Sequence, residues 1–338
     1  MAAAVAMLAP LAWASPLSPT ARNLIPSDVR QIISVDYRMA RTFKTAMTLK
    51  AQALPDNLKE FEAALEAVGV TPDQDVESLT FASFDDPKEK LEDGSEKLDM
   101  VAVVAGSFSS KRVLTVLSLK KIKPYKYRDF DLYPVSKTLT LSLLKGILLV
   151  GNDNALKTVL SVDAGRTPNL DSNPDLIAGI KSVEKSTVWS VLDQKGTQKM
   201  LSSVLGDVGK RPEFATVKQG ILGSHFTMNF RSGIHFDLGF VTSDRLTAAK
   251  LSTVLKAGVL YKKVTANPEQ SSALNYISVT AKPVTPSSNR SVLKVRFRAD
   301  PQESEALLLT RCFTALSGER KELSGITSAQ VEDGAKAR

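Results

Sequence analysis

Residues 138–160 read TLTLSLLKGILLVGNDNALKTVL. Two apolar runs, Leu139 to Leu144 and Ile147 to Val150, flank Lys145-Gly146. A glycine-containing dipeptide between two such runs marks a tight hairpin. Directly afterwards Asn152 or Asp153 offers a capping side chain, and Leu156, Val159 and Leu160 fall on one helical face. The stretch predicts two antiparallel strands followed by a helix.

The same pattern recurs along the chain. Upstream, Leu79 to Phe84 and Met100 to Ala105 precede a helix opened by Ser109 that carries Val113, Leu114 and Leu117. Downstream, Phe226 to Phe230 and Ile234 to Phe240 precede a helix opened by Ser243 or Asp244, with Leu251, Val254 and Leu255 on its face. Last, Tyr276 to Ala281 and Leu293 to Phe297 precede a helix opened by Asp300-Pro301, where proline suits the first turn. A single strand leads each pair of copies. Ile33-Ser34-Val35-Asp36 runs into a helix marked by Met39, Phe43 and Met47, and Pro55 stops it. Asp56 opens another, with Leu58, Phe61, Leu65 and Val68 on one face and Gly69 at its end. Trp189-Ser190-Val191-Leu192-Asp193 runs into a helix from about Gly196 to Leu205.

These elements predict an α+β fold: a tandem duplication of β-α-ββα-ββα units, with mainly antiparallel sheets and helices packed on one face. The halves are placed at 24–165 and 184–317. Segment 166–183 connects them, with a short helix from Pro174 to Ser182. A length of 338 residues suits two such units.

Two segments carry a resemblance. Leu24-Ile25-Pro26-Ser27-Asp28 leads to a strand ending in Val35-Asp36, and Gly146-Ile147-Leu148-Leu149-Val150-Gly151-Asn152-Asp153 forms the later strand-to-helix step. They resemble exported bacterial proteins of unknown function that share an opening P-x-D … V-D strand and a later G-L-L-V-x-G-x-D step. The resemblance implies an envelope or periplasmic protein and carries over no catalytic residue.

The N-terminus points to the same compartment. Met1 to Leu11 is nearly all apolar, and Ala12-Trp13-Ala14 gives the small-x-small pattern of a signal-peptide cleavage site, so residues 1–14 read as a leader without the usual positive start. Pro10 and Pro16 interrupt the run below the length of ~20 residues that spans a bilayer. The single cysteine, Cys312, excludes an intramolecular disulfide and shares an apolar helix face with Leu309, Phe313 and Leu316. Residues 318–338 are polar and aperiodic, as in a disordered tail.

Motifs for catalysis fail on spacing. Gly206-Asp207-Val208-Gly209-Lys210 lacks the glycine spacing and the hydroxyl residue of a phosphate loop. Ser182-x-x-Lys185 has counterparts at Ser118 and Ser142 and no companion motif. Asp85, Asp86, Glu89, Glu92, Asp93 and Glu96 crowd one loop without calcium-loop order and beside Lys88, Lys90 and Lys97. Two histidines, His225 and His235, support no zinc spacing. No enzyme, cofactor or metal is expected.

The net charge of +8 favours anionic surroundings. One run, Lys120, Lys121, Lys123, Lys126 and Arg128 around Tyr125 and Tyr127, reads as a loop and a solvated strand rather than a nucleic-acid module. The clearer candidate is a sheet face. Phe226, Met228 and Phe230 alternate with polar residues, as do Ile234, Phe236, Leu238 and Phe240, and Lys294, Arg296 and Arg298 alternate with Leu293, Val295 and Phe297. A three-residue loop, Arg231 to Gly233, would set Asn229 opposite His235 and Thr227 opposite Asp237, with Gly233 left-handed. If both hairpins share a sheet, His225, Arg231, His235, Lys294, Arg296 and Arg298 gather on one side. The expected function is a non-catalytic periplasmic or secreted protein that binds an envelope macromolecule or anionic surface. The alternative is a carrier of an apolar or anionic small molecule between the halves.

Overall fold

A computed structural model describes residues 17–54, 56–90, 96–205, 212–265, 274–283 and 289–309. The leader at 1–14, the turn at 206–210, Cys312 with its helix face, the tail at 318–338 and the side chains of the acidic loop beyond Asp85 lie outside the described residues.

The fold is α+β, built on one antiparallel sheet. Its strands are β1 (Gln31–Asp36), β2 (Val76–Lys90), β3 (Glu96–Gly106), β4 (Tyr125–Tyr127), β5 (Phe130–Pro134), β6 (Thr140–Leu144), β7 (Ile147–Gly151), β8 (Val188–Leu192), β9 (Ile221–Asn229), β10 (Ile234–Thr242), β11 (Ile277–Pro283) and β12 (Ser291–Ala299). They lie in the order β11-β12-β10-β9-β8-β1-β2-β3-β7-β6-β5-β4. The separate sheets expected for two halves are thus one continuous sheet, joined where β1 pairs β8 from Gln31 opposite Leu192 to Val35 opposite Val188. Read outward from that junction, β1-β2-β3-β7-β6 and β8-β9-β10-β12-β11 follow the same order.

Local chemistry sets the elements. Lys145 and Gly146 take left-handed φ values of 50° and 82°, as a two-residue hairpin turn demands. Asn152, not Asp153, caps the following helix α7 (Asp153–Asp163), its side chain accepting from the Ala155 amide at 2.9 Å. Ser109 caps α6 (Ser110–Leu119), and Asp244 caps α11 (Arg245–Thr265). Asp300 and Glu303 exchange backbone-to-carboxylate bonds of 2.8 Å in a capping box before α12 (Pro301–Leu309). The helix expected from Asp36 to Pro55 is broken into α2 (Tyr37–Ala40) and α3 (Lys44–Ala53). Arg41, just after α2, donates to the carbonyls of Asp73, Gln74 and Val76, which ties this corner to the short helix α5 (Pro72–Asp75).

Helices cover both faces of the sheet, which corrects the expectation of one. The face bearing Ile32, Ala82, Val103, Leu149 and Val191, here face A, is closed by α1 (Pro19–Leu24), α7 and α8 (Pro174–Val183). The opposite face B carries Leu79, Phe81, Val104 and Val150, packed under α4 (Asp56–Ala67) and α6. In the second half α9 (Gln194–Leu205), α10 (Pro212–Gln219) and α11 pack on face B around Phe240 and Leu293. There α3 and α12 pack around Phe230 and Phe297. The helix that closes each half therefore goes to opposite sides: α7 lies on face A, α12 on face B. Among the described residues, face A of β10, β12 and β11 has no helix from its own half.

Candidate functional site

The hairpin of β9 and β10 has the register expected from its alternation: Asn229 opposite His235, Thr227 opposite Asp237, and Gly233 at φ 102°. β12 then joins β10 with Arg298 beside His235, Arg296 beside Asp237 and Lys294 beside Gly239. β11 adds Ser278 next to Arg296 and Thr280 next to Lys294. Three cross-strand rows of polar side chains result on face A, because side chains in register share a face.

Five of the six expected residues, His225, His235, Lys294, Arg296 and Arg298, come together here. Arg231 does not join them on a strand; it is exposed in the loop at the hairpin tip. Lys282 was not singled out in the sequence, yet it is exposed beside Val292 on the same face. The alternation of Ser278, Thr280 and Lys282 with Ile277, Val279 and Ala281 is the signal that finds it.

Asp237 organises the centre. Arg298 donates from Nη2 to Asp237 Oδ1 at 2.6 Å and from Nη1 to the Phe236 carbonyl at 2.9 Å. Arg296 Nε stands 3.7 Å from the same carboxylate oxygen. The Arg298 and Arg296 side chains stay 40% and 34% accessible, so both present donors to solvent while one acid fixes their place. Gly239 makes room for His225: a Cβ there would sit 2.3 Å from His225 Nε2.

The histidines carry less charge than their number suggests. Burial, then the nearby Lys294, holds the His225 imidazole below its ordinary pKa of 6.5, against the pull of Asp237. Burial and Arg298 do the same to His235. At neutral pH both are neutral, and the positive charge of the face rests on Lys282, Lys294, Arg296 and Arg298. Acid would charge the imidazoles only below the usual histidine range.

Among the described residues no group of three His, Cys, Asp or Glu side chains is placed to hold a metal ion. No described helix is long and apolar enough to cross a membrane. No family model matches the chain, and no curated protein is similar to it. The solved structure described as "Structure of crystal form I of TP0453" is similar over 87% of this chain and 96% of that one, at 10% sequence identity and a TM-score of 0.46, a level of likeness from which nothing further follows.

Proposed function

We propose that the protein is a non-catalytic, exported envelope protein that holds an anionic macromolecule on face A of β9, β10, β12 and β11. The observation that carries this is the file Lys294, Arg296 and Arg298 along β12, standing over the Asp237 carboxylate on a sheet face that, among the described residues, has no helix from its own half. Alternate residues of a strand lie ~6.8 Å apart, so these cations form a linear array suited to a chain of repeated negative charge. Solvated strands also carry Lys and Arg to discourage edge pairing, but β12 is not an edge strand; β10 and β11 flank it. Export rests on the leader-like segment and on the resemblance to exported bacterial proteins. The shared strand order supports a tandem duplication in which β8, β9, β10, β11 and β12 repeat β1, β2, β3, β6 and β7, with the closing helix moved to the other face and β4 and β5 without a counterpart among the described residues.

The carrier alternative calls for an apolar cavity between the halves. That junction is instead closed by the β1–β8 ladder, with Ile32, Trp189 and Val191 buried beneath α8. Lysine acetylation with and without dextran sulfate tests the macromolecular reading. Lys282 and Lys294 are expected to be protected by the polymer while Lys256 on α11 stays reactive; equal protection at all three would contradict a defined site.

A further inference from the structure

The basic run after α6 gains a second feature from the structure. Leu114 is 42% exposed and Leu119 77%, although buried Val113 and Leu117 already anchor α6 to the core. Leu114 and Leu119 share a hollow of about 490 Å³ with Lys111, Thr115 and Ser118. Around it the chain carries no Asp or Glu from Met100 to Arg128, while Lys or Arg stands at 111, 112, 120, 121, 123, 126 and 128. Lys126 is paired to Asp131 at 2.9 Å, and Asp153, which accepts from the Tyr125 hydroxyl, is engaged by Lys157. The hydroxyl bond to α7 turns Tyr125 toward face A, and burial, then Asp153, pushes its phenol up to about 12.

The backbone adds an independent sign. Helix α6 ends with the Ile122 amide donating to the Leu117 carbonyl and the Lys121 amide to the Ser118 carbonyl, a motif whose left-handed residue is usually glycine. Here that residue is Lys121, at φ 57°, and Arg128 repeats the strain in the β4–β5 turn, also at φ 57°. Two basic side chains thus occupy backbone positions where glycine would be less strained.

We propose that α6 and the segment through Lys126 dock onto a bilayer surface rich in anionic lipid. Lysines supply attraction to the headgroups, and Leu114 and Leu119 enter the interfacial region. A nucleic acid or soluble polyanion would use the lysines but leave the leucines in water, whereas a lipid interface uses both. The surface lies on face B of the first half and is separate from the cationic rows of face A.

The test is co-sedimentation of the protein with vesicles of phosphatidylglycerol and phosphatidylcholine, or of phosphatidylcholine alone. Wild-type protein is expected on the anionic vesicles only, and less at high salt. The pair Leu114→Gln and Leu119→Gln, both at exposed positions, should bind about tenfold more weakly. Lys120→Ser, Lys121→Gly and Lys123→Ser together should bind about 100-fold more weakly, at about fivefold per charge. Glycine at 121 relieves the strained φ, so this variant should remain folded by circular dichroism. Lys294→Ser, Arg296→Ser and Arg298→Ser together should bind vesicles as wild type does. The proposal is overturned by absence of wild-type protein from anionic vesicles, by equal binding to phosphatidylcholine, by undiminished binding of the leucine pair, or by loss of vesicle binding in the sheet-face variant.

Discussion

Trp189→Ala is expected to destabilise the protein by about 3–5 kcal/mol, whereas Trp189→Phe should cost only about 1 kcal/mol. Trp189 is fully buried on β8, opposite Ser34 of β1 and Thr227 of β9, where it belongs to the core beneath α8. Truncation to Ala leaves a cavity at the junction of the two halves. Phenylalanine keeps most of the ring volume and also removes the indole Nε1, which is buried without a hydrogen-bond partner. Leaving such a donor unsatisfied costs about 1–3 kcal/mol, so its removal offsets part of the lost contact area. Domains are typically stable by only about 5–15 kcal/mol, and the Ala variant therefore loses a large share. Urea denaturation of both variants measures the difference; a Phe variant as unstable as the Ala variant would show that the indole is not a strained guest in this core.

Arg30→Met should cost about 2–3 kcal/mol, less than the tryptophan truncation but well above an ordinary surface substitution. Arg30 precedes β1 and donates from Nε to Asp85 Oδ2 and from Nη1 to Asp193 Oδ2, both at 2.7 Å. Lys199 on α9 completes the group with a 2.7 Å bond to Asp85 Oδ1. Burial alone would lower the guanidinium pKa, but the bonds to Asp85 and Asp193 outweigh it and leave it raised. Asp85 comes from β2 and Asp193 follows β8, so one side chain fastens the two halves beside their shared ladder. Methionine preserves the aliphatic stem and leaves both carboxylates short of a donor. The carboxylate side chains are only 13% and 21% accessible, so water replaces that donor poorly, yet they are not sealed, which keeps the cost below that of a fully buried pair. Calorimetry should show a melting temperature lower by about 4–10 °C; a change under about 1 °C would mean that the halves do not depend on this contact.

The residues that misled the sequence reading carry their own explanation. Met100 to Ala105 and Ile147 to Val150 are continuous apolar runs, the pattern of strands buried on both faces, and α7 and α6 do cover β3 and β7 from opposite sides. β9, β10, β12 and β11 alternate instead, and they leave one face polar. Reading both patterns as the same one-sided strand produced the expectation of helices on a single face. The β9–β10 register was legible because alternation and Gly233 constrain it locally. The β1–β8 pairing that merges the halves was not, because no local signal specifies which strands from distant segments become neighbours. The break at Arg41 was hidden for a similar reason: its carbonyl acceptors lie more than 30 residues away, while Met39, Phe43 and Met47 keep a helical spacing across the break. Of the cationic face, Lys294, Arg296 and Arg298 could be read from spacing; the anchoring of Arg298 to both Asp237 and the Phe236 carbonyl could not.

The central claim is that the β12 cations hold an anionic macromolecule, and the salt dependence of dextran sulfate affinity at neutral pH tests it most directly. Comparing wild type with the folded triple variant Lys294→Ser, Arg296→Ser and Arg298→Ser, affinity at low salt should fall by about 10- to 100-fold, from about 0.5–1 kcal/mol per exposed charge contact, and the variant's affinity should depend less steeply on salt. An unchanged affinity and an unchanged salt slope in the folded variant would contradict the account and return this face to an ordinary solvated sheet surface.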